Sequence, residues 1–165
     1  MAMNSIQLLV IPNTYLWVLV EKRFSKILVG VDGSKESMDA ADLAIGLAKK
    51  DNAKLVSFTV MQLPSFYGWS AIESPKEWQE KDRAEIEQWK EKIRETAKEN
   101  NVQIEMKAVE SPMSVEGAIV DYADKENIDL IVVGTRGRTG FSKKLLGSVA
   151  LGVVTHASCP VTVVK

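Results

Sequence analysis

Short apolar, β-branched runs alternate along most of this chain with longer segments whose apolar residues recur at helical spacing. The first clear run is Lys26–Val31 (KILVGV), stopped by Asp32-Gly33-Ser34, which is the pattern of a parallel strand buried on both faces. The Ser34 hydroxyl can accept from the free N–H groups of a helix start. Met38, Ala41, Ile45 and Ala48 then recur at spacings of three and four, which places them on one helix face. Glu36, Asp39 and Asp42 toward the start and Lys49-Lys50 at the end complement the partial charges of that helix. Lys54–Met61 (KLVSFTVM) predicts a second strand.

A long helix opens at Ser74-Pro75 and runs to about Asn100, with Ile86, Trp89, Ile93 and Ala97 on one face and pairs such as Glu77/Lys81 and Glu91/Arg94 elsewhere. Its charges balance in sign, so that surface reads as solvated. Over Val102–Val109 the residues Val102, Ile104, Met106 and Ala108 alternate with polar ones, and a strand with one wet face belongs near a sheet edge. After Ser111-Pro112 a helix continues through Val115, Ala118, Ile119 and Tyr122 to about Lys125. Asp129–Val133 (DLIVV) is a fourth strand, followed by a glycine-rich segment, a helix over Ser148–His156 and a last strand, Val161–Val164. This alternation predicts right-handed crossovers, a mostly parallel five-stranded sheet and helices on both faces, an α/β sandwich.

Two stretches stand outside the pattern. Gln62–Ser74 carries Pro64, Phe66, Tyr67, Gly68 and Trp69, aromatics that either pack the loop down or form a lid over a ligand. Gln7–Val20 (QLLVIPNTYLWVLV) is apolar but broken by Pro12, Asn13 and Thr14, short of the roughly 20 continuous residues of a membrane span. No charge precedes Glu21, so the basic start of a secretory signal is missing. The stretch reads as an added strand or hairpin over an apolar surface, or as a start codon set too far upstream, with a membrane or targeting role as the alternative. The expected division is an extension over 1–24 and one domain over 25–165.

At 165 residues, 45% of them hydrophobic, the chain suits a single domain with its own core. Its 21 basic and 22 acidic residues give a net charge of −1, so no overall field attracts nucleic acid or an anionic membrane, and any polyanion site must be local. Cys159 and His156 are the sole residues of their types, which rules out an internal disulfide and a Cys/His zinc site and fits a reducing compartment. Cys159 reads as a packing residue and His156 as a partner of a helix C-terminus.

The local cluster is Gly134–Ser148, GTRGRTGFSKKLLGS. It contains neither a Walker A sequence nor G-x-G-x-x-G. Gly134, Gly137 and Gly147-Ser148 follow an apolar strand and precede a helix, which lets main-chain N–H groups approach an anion beside a helix N-terminus. Arg136, Arg138, Lys143 and Lys144 add positive charge. The spacing fits a phosphate cradle, and equally a basic turn that needs glycine.

With KILVGVDGS at the first strand, DLIVVGTRG at the fourth, the G-x2-G-x9-G-S spacing and the ending ASCPVTVVK, the chain resembles the universal stress protein family over about residues 25–165, and in particular its ATP-binding branch. The resemblance implies an adenine nucleotide alpha hydrolase-like sheet of order 3-2-1-4-5 with a crevice where the connections after strands 1 and 4 part. It implies that Gly30, Val31 and Asp32 border the nucleoside, the Asp32 carboxylate meeting a ribose hydroxyl, the adenine, or a Mg²⁺ or Mn²⁺ ion that accompanies the phosphates. Val60 would offer its backbone to the adenine edge, Val133 and Gly134 would line the ribose, and Gly137, Gly147, Ser148 and Val149 would meet the phosphates. Arg136 and Arg138 would either reach the triphosphate or point into solvent.

By the same resemblance the ligand is ATP, ADP or AMP, the protein is cytoplasmic, and a homodimer forms by antiparallel pairing of Val161–Val164. It would act as a nucleotide-dependent sensor or switch toward an unidentified regulatory protein, without nucleic acid or membrane partners. No general base poised near neutral pH is legible, so activity would be at most that of a slow ATPase or autophosphorylating protein. A nucleotide-independent interaction module is the remaining alternative.

Overall fold

Ile27, Leu28 and Val29 are fully buried, and a strand that can bury consecutive residues on opposite faces belongs at the centre of a two-sided sheet. The structure, a computed structural model, describes residues 24–62, 76–137 and 146–165. In it β1 (Lys26–Gly30) is followed by α1 (Lys35–Asp51), β2 (Lys54–Gln62), α2 (Lys76–Glu99), β3 (Ile104–Ser111), α3 (Val115–Lys125), β4 (Leu130–Gly134), α4 (Ser148–His156) and β5 (Val161–Val164). The five strands lie in the order β3-β2-β1-β4-β5, as expected. All pairs are parallel, with Leu28 of β1 level with Val56 of β2 and Ile131 of β4.

The pleat sends alternate strand residues to separate cores. On one face Ile27, Val29, Leu55 and Val132 meet Ile45 of α1 and Trp89 and Ile93 of α2. On the other, Leu28, Val56, Phe58 and Ile131 meet Ile119 of α3 and Val153 of α4. Ser34 caps α1, its hydroxyl accepting from Ser37 N at 3.3 Å, and Ser114 caps α3 in the same way toward Gly117 N at 3.2 Å. Asn52, Asn101 and Asn127, just past the ends of α1, α2 and α3, have φ of 55°, 56° and 52°, the left-handed conformation that turns a helix back toward a strand.

β3 differs from expectation in two respects. Val102 donates its N–H to Ala97 O at 2.9 Å and so belongs to the turn closing α2, which delays β3 to Ile104. Ala108, expected on the buried face, is exposed, whereas Ile104 and Met106 pack against the first core and Val109 against the second. β3 is nonetheless an edge strand. Residues 1–23 of the expected extension over 1–24, all of the aromatic segment Gln62–Ser74 but Gln62, Pro75, the side chains of Glu77 and Lys81, and Arg138, Lys143 and Lys144 lie outside the described residues, whereas Phe24 packs against the first core. No described helix is long and apolar enough to cross a membrane.

Candidate functional site

β1 and β4 are neighbours at the middle of the sheet, but α1 leaves toward one face and α4 lies on the other. Between the diverging connections, at the carboxyl ends of the strands, lies a cleft of about 620 Å³. Gly30, Val31 and Asp32 from the end of β1, Val60 from β2, Val133 and Gly134 from β4, Gly137 from the following loop, and Gly147, Ser148 and Val149 at the start of α4 all line it. The structure thus brings these ten residues together in one cleft, while Arg138 lies outside the described residues.

Asp32 is held by its own turn. Its Oδ1 accepts from Ser34 N at 3.0 Å and from Ser34 Oγ at 2.6 Å, while its N–H donates to Ser37 Oγ at 3.3 Å. A β-carbon on Gly137 would stand 2.5 Å from Asp32 Oδ2, so the carboxylate rests against the bare backbone of the loop after β4. Only glycine allows that approach.

At the opposite side, Gly147 precedes α4 with no side-chain cap, unlike Ser34 and Ser114. Its own N–H donates to Thr135 O at 2.8 Å, and the first helical bond runs from Leu151 N to Gly147 O at 2.9 Å. The amides of Ser148, Val149 and Ala150 therefore have no intrahelical acceptor, and all three residues line the cleft at the positive end of the helix. Such an end holds an anion well. Thr135 adds a buried Oγ1 that has no hydrogen-bond partner and belongs to a residue lining the same space.

Arg136 also lines the cleft, but neither reaches freely into it nor points into solvent: its guanidinium pairs with Glu36 in the first turn of α1. The other charged residues among the described lining are Asp32 and Glu116. Sequence reasoning misses Glu116, as it misses Thr135 and the apolar wall of Phe58, Val115 and Ile119. Glycine inside α4 is the available clue to Glu116, since a β-carbon on Gly152 would stand 2.5 Å from Glu116 Cγ, where α3 crosses close to α4. His156 lies in the last turn of α4 with Nδ1 2.8 Å from Gly152 O, and half-buried Cys159 packs against the second core; neither is among the residues lining the cleft. Among the described residues no group of three or more His, Cys, Asp or Glu is placed to hold a metal ion.

The family model described as the universal stress protein family matches residues 23–165. A universal stress protein of Methanocaldococcus jannaschii is 38% identical over 145 residues, covering 88% of this chain and 84% of its own. Among solved structures, the universal stress protein UspA from Lactobacillus plantarum superimposes with a TM-score of 0.72 at 28% identity, over 88% of this chain and 100% of that one. A universal stress protein in complex with cAMP gives a TM-score of 0.62 at 28% identity, over 87% of this chain and 98% of the other.

Proposed function

The chain belongs to the universal stress protein family, and on that premise we propose that its cleft is an adenine-nucleotide site working as a switch. The observation that carries the reading is the convergence, in one cleft, of the uncapped start of α4, the glycine backbone after β4 and the anchored Asp32 carboxylate. The complex of a similar family member with cAMP supports an adenine nucleotide as the ligand class. Here the α4 amides and the Ser148 hydroxyl would hold a phosphate, and the apolar walls from Val133 and Ile119 would flank the sugar and base. Val60 would present its backbone to the adenine edge. Asp32 would take a ribose hydroxyl or the adenine, or serve as a carboxylate ligand of a Mg²⁺ or Mn²⁺ ion carried in by the phosphates.

A switch needs a ligand that binds two states unequally and an element that responds. Thr135, at the lip of the cleft, donates its N–H to Val164 O of β5 at 2.7 Å, so the nucleotide site is one hydrogen bond from an edge strand. That edge is where we place the homodimer contact and, through it, the output to a regulatory protein.

Calorimetry on protein stripped of co-purifying small molecules should show saturable binding of AMP or ATP. Ser148→Ala, which removes one donor, should weaken it about 3–10-fold. Absence of binding by the intact, folded protein to either nucleotide would sink this reading.

A further inference from the structure

Arg136 sits in the loop just beyond β4 and lines the cleft, with its carbonyl oxygen 3.4 Å from Ser34 Oγ. Its guanidinium Nη2 is paired with Glu36 Oε1, and the two side chains are only 28% and 17% exposed. The described charges on the cleft lining are thus two carboxylates, Asp32 and Glu116, and one cation already neutralised from behind by Glu36. Neutral donors at the start of α4 suffice for one phosphate. A second and third phosphate bring more negative charge, and among the described lining residues the cation available to meet it is Arg136.

We propose that Glu36 sets the selectivity of the cleft for phosphate-chain length by holding Arg136 in an ion pair that a triphosphate must break and a monophosphate need not. The inference rests on the adenine-nucleotide reading above. A terminal phosphate carries more charge than a carboxylate and matches the guanidinium fork, so it can take Arg136 over. The loss of the Glu36 pair, together with the repulsion of the Glu36 carboxylate, is then subtracted from triphosphate binding alone. By reciprocity, a bound triphosphate frees Glu36 on α1, which gives the two ligands different effects on the same helix.

Calorimetric titration of AMP and ATP into the full-length protein and three variants tests this. In Glu36→Gln, ATP should bind about 3–10-fold tighter relative to AMP, because the competing charge is gone. In Arg136→Gln the preference should move the other way by a similar factor, and the double variant should behave as Arg136→Gln, having no pair left to break. If the pair were only a staple joining the loop to α1, both single variants would weaken both nucleotides together, and that result overturns the proposal. Unchanged ATP-to-AMP ratios overturn it as well. A wild-type protein that binds neither nucleotide would instead overturn the assignment of the site itself.

Discussion

A β-carbon at position 134 would stand 2.8 Å from the carbonyl carbon of Glu36, and 2.9 Å from its oxygen and from Ser37 N. These are backbone atoms in the first turn of α1, so no rotamer change relieves the clash. Gly134→Ala should therefore cost about 1–3 kcal/mol in urea unfolding, the usual range for overpacking. Gly46, in the middle of α1, has nothing within 4 Å of where a β-carbon would stand, and should respond oppositely: Gly46→Ala should gain about 0.5–1 kcal/mol by the same measurement. The spacing of the motif glycines is legible in the sequence, but it fits a phosphate cradle and a basic turn alike and does not say what each glycine faces in the folded chain. The structure divides them: Gly134 admits a helix, Gly137 admits the Asp32 carboxylate, and Gly147 leaves a helix start uncapped. What each glycine faces depends on residues far away in the chain, and the same holds for the Arg136–Glu36 pair. No local pattern records such a contact.

Elements are legible where burial dictates pattern. β1, apolar after Lys26, wholly apolar β4 and alternating β3 announce central and edge positions, since a strand's composition reflects how many of its faces are covered. Their ends are less legible because turns decide them: the Val102 N–H closes α2 rather than starting β3. The docking of α3 on β2 shows a further contact that periodicity cannot give, the Tyr122 ring against Phe58 with centroids 4.4 Å apart. Burial first, then the charges of Glu126 and Glu105, push the Tyr122 hydroxyl above its ordinary pKa. A group whose folded pKa is raised contributes stability that is fully present below its unfolded pKa, about 10 for tyrosine, and is lost as pH rises through the higher folded value. Lys107, raised by its hydrogen bond and charge contact with Glu105, acts in the same direction. Tyr122→Phe keeps the ring contact and removes one titration. Its urea midpoint should therefore fall less than that of the wild type between about pH 8 and pH 11, and an equal fall would refute the assignment.

At the scale of the molecule, the described strands leave β5 with one side unpaired. Pro160 O and Val164 O accept from Ile131 N at 3.0 Å and from Thr135 N at 2.7 Å. Because the N–H and C=O of one strand residue point the same way, the even-numbered residues face β4, and the N–H and C=O of Val161 and Val163 face outward. A twofold axis beside Thr162 would set Val161 of one copy against Val163 of the other, an antiparallel pair in which each residue both donates and accepts. The half-buried β5 side chains flank that edge, which is short enough to stay soluble until it is paired. Val163→Pro deletes an outward N–H in each copy, hence half of the hydrogen bonds across the seam, while the bonds to β4 keep their donors and acceptors. Light scattering should therefore show a dimer for the wild type and a monomer for Val163→Pro, with the far-ultraviolet dichroism of the two alike. A Val163→Pro protein that remains dimeric would move the contact off the strand. The exposed Leu151 and Val154 of α4, at 54% and 47%, would then be the next apolar surface to substitute.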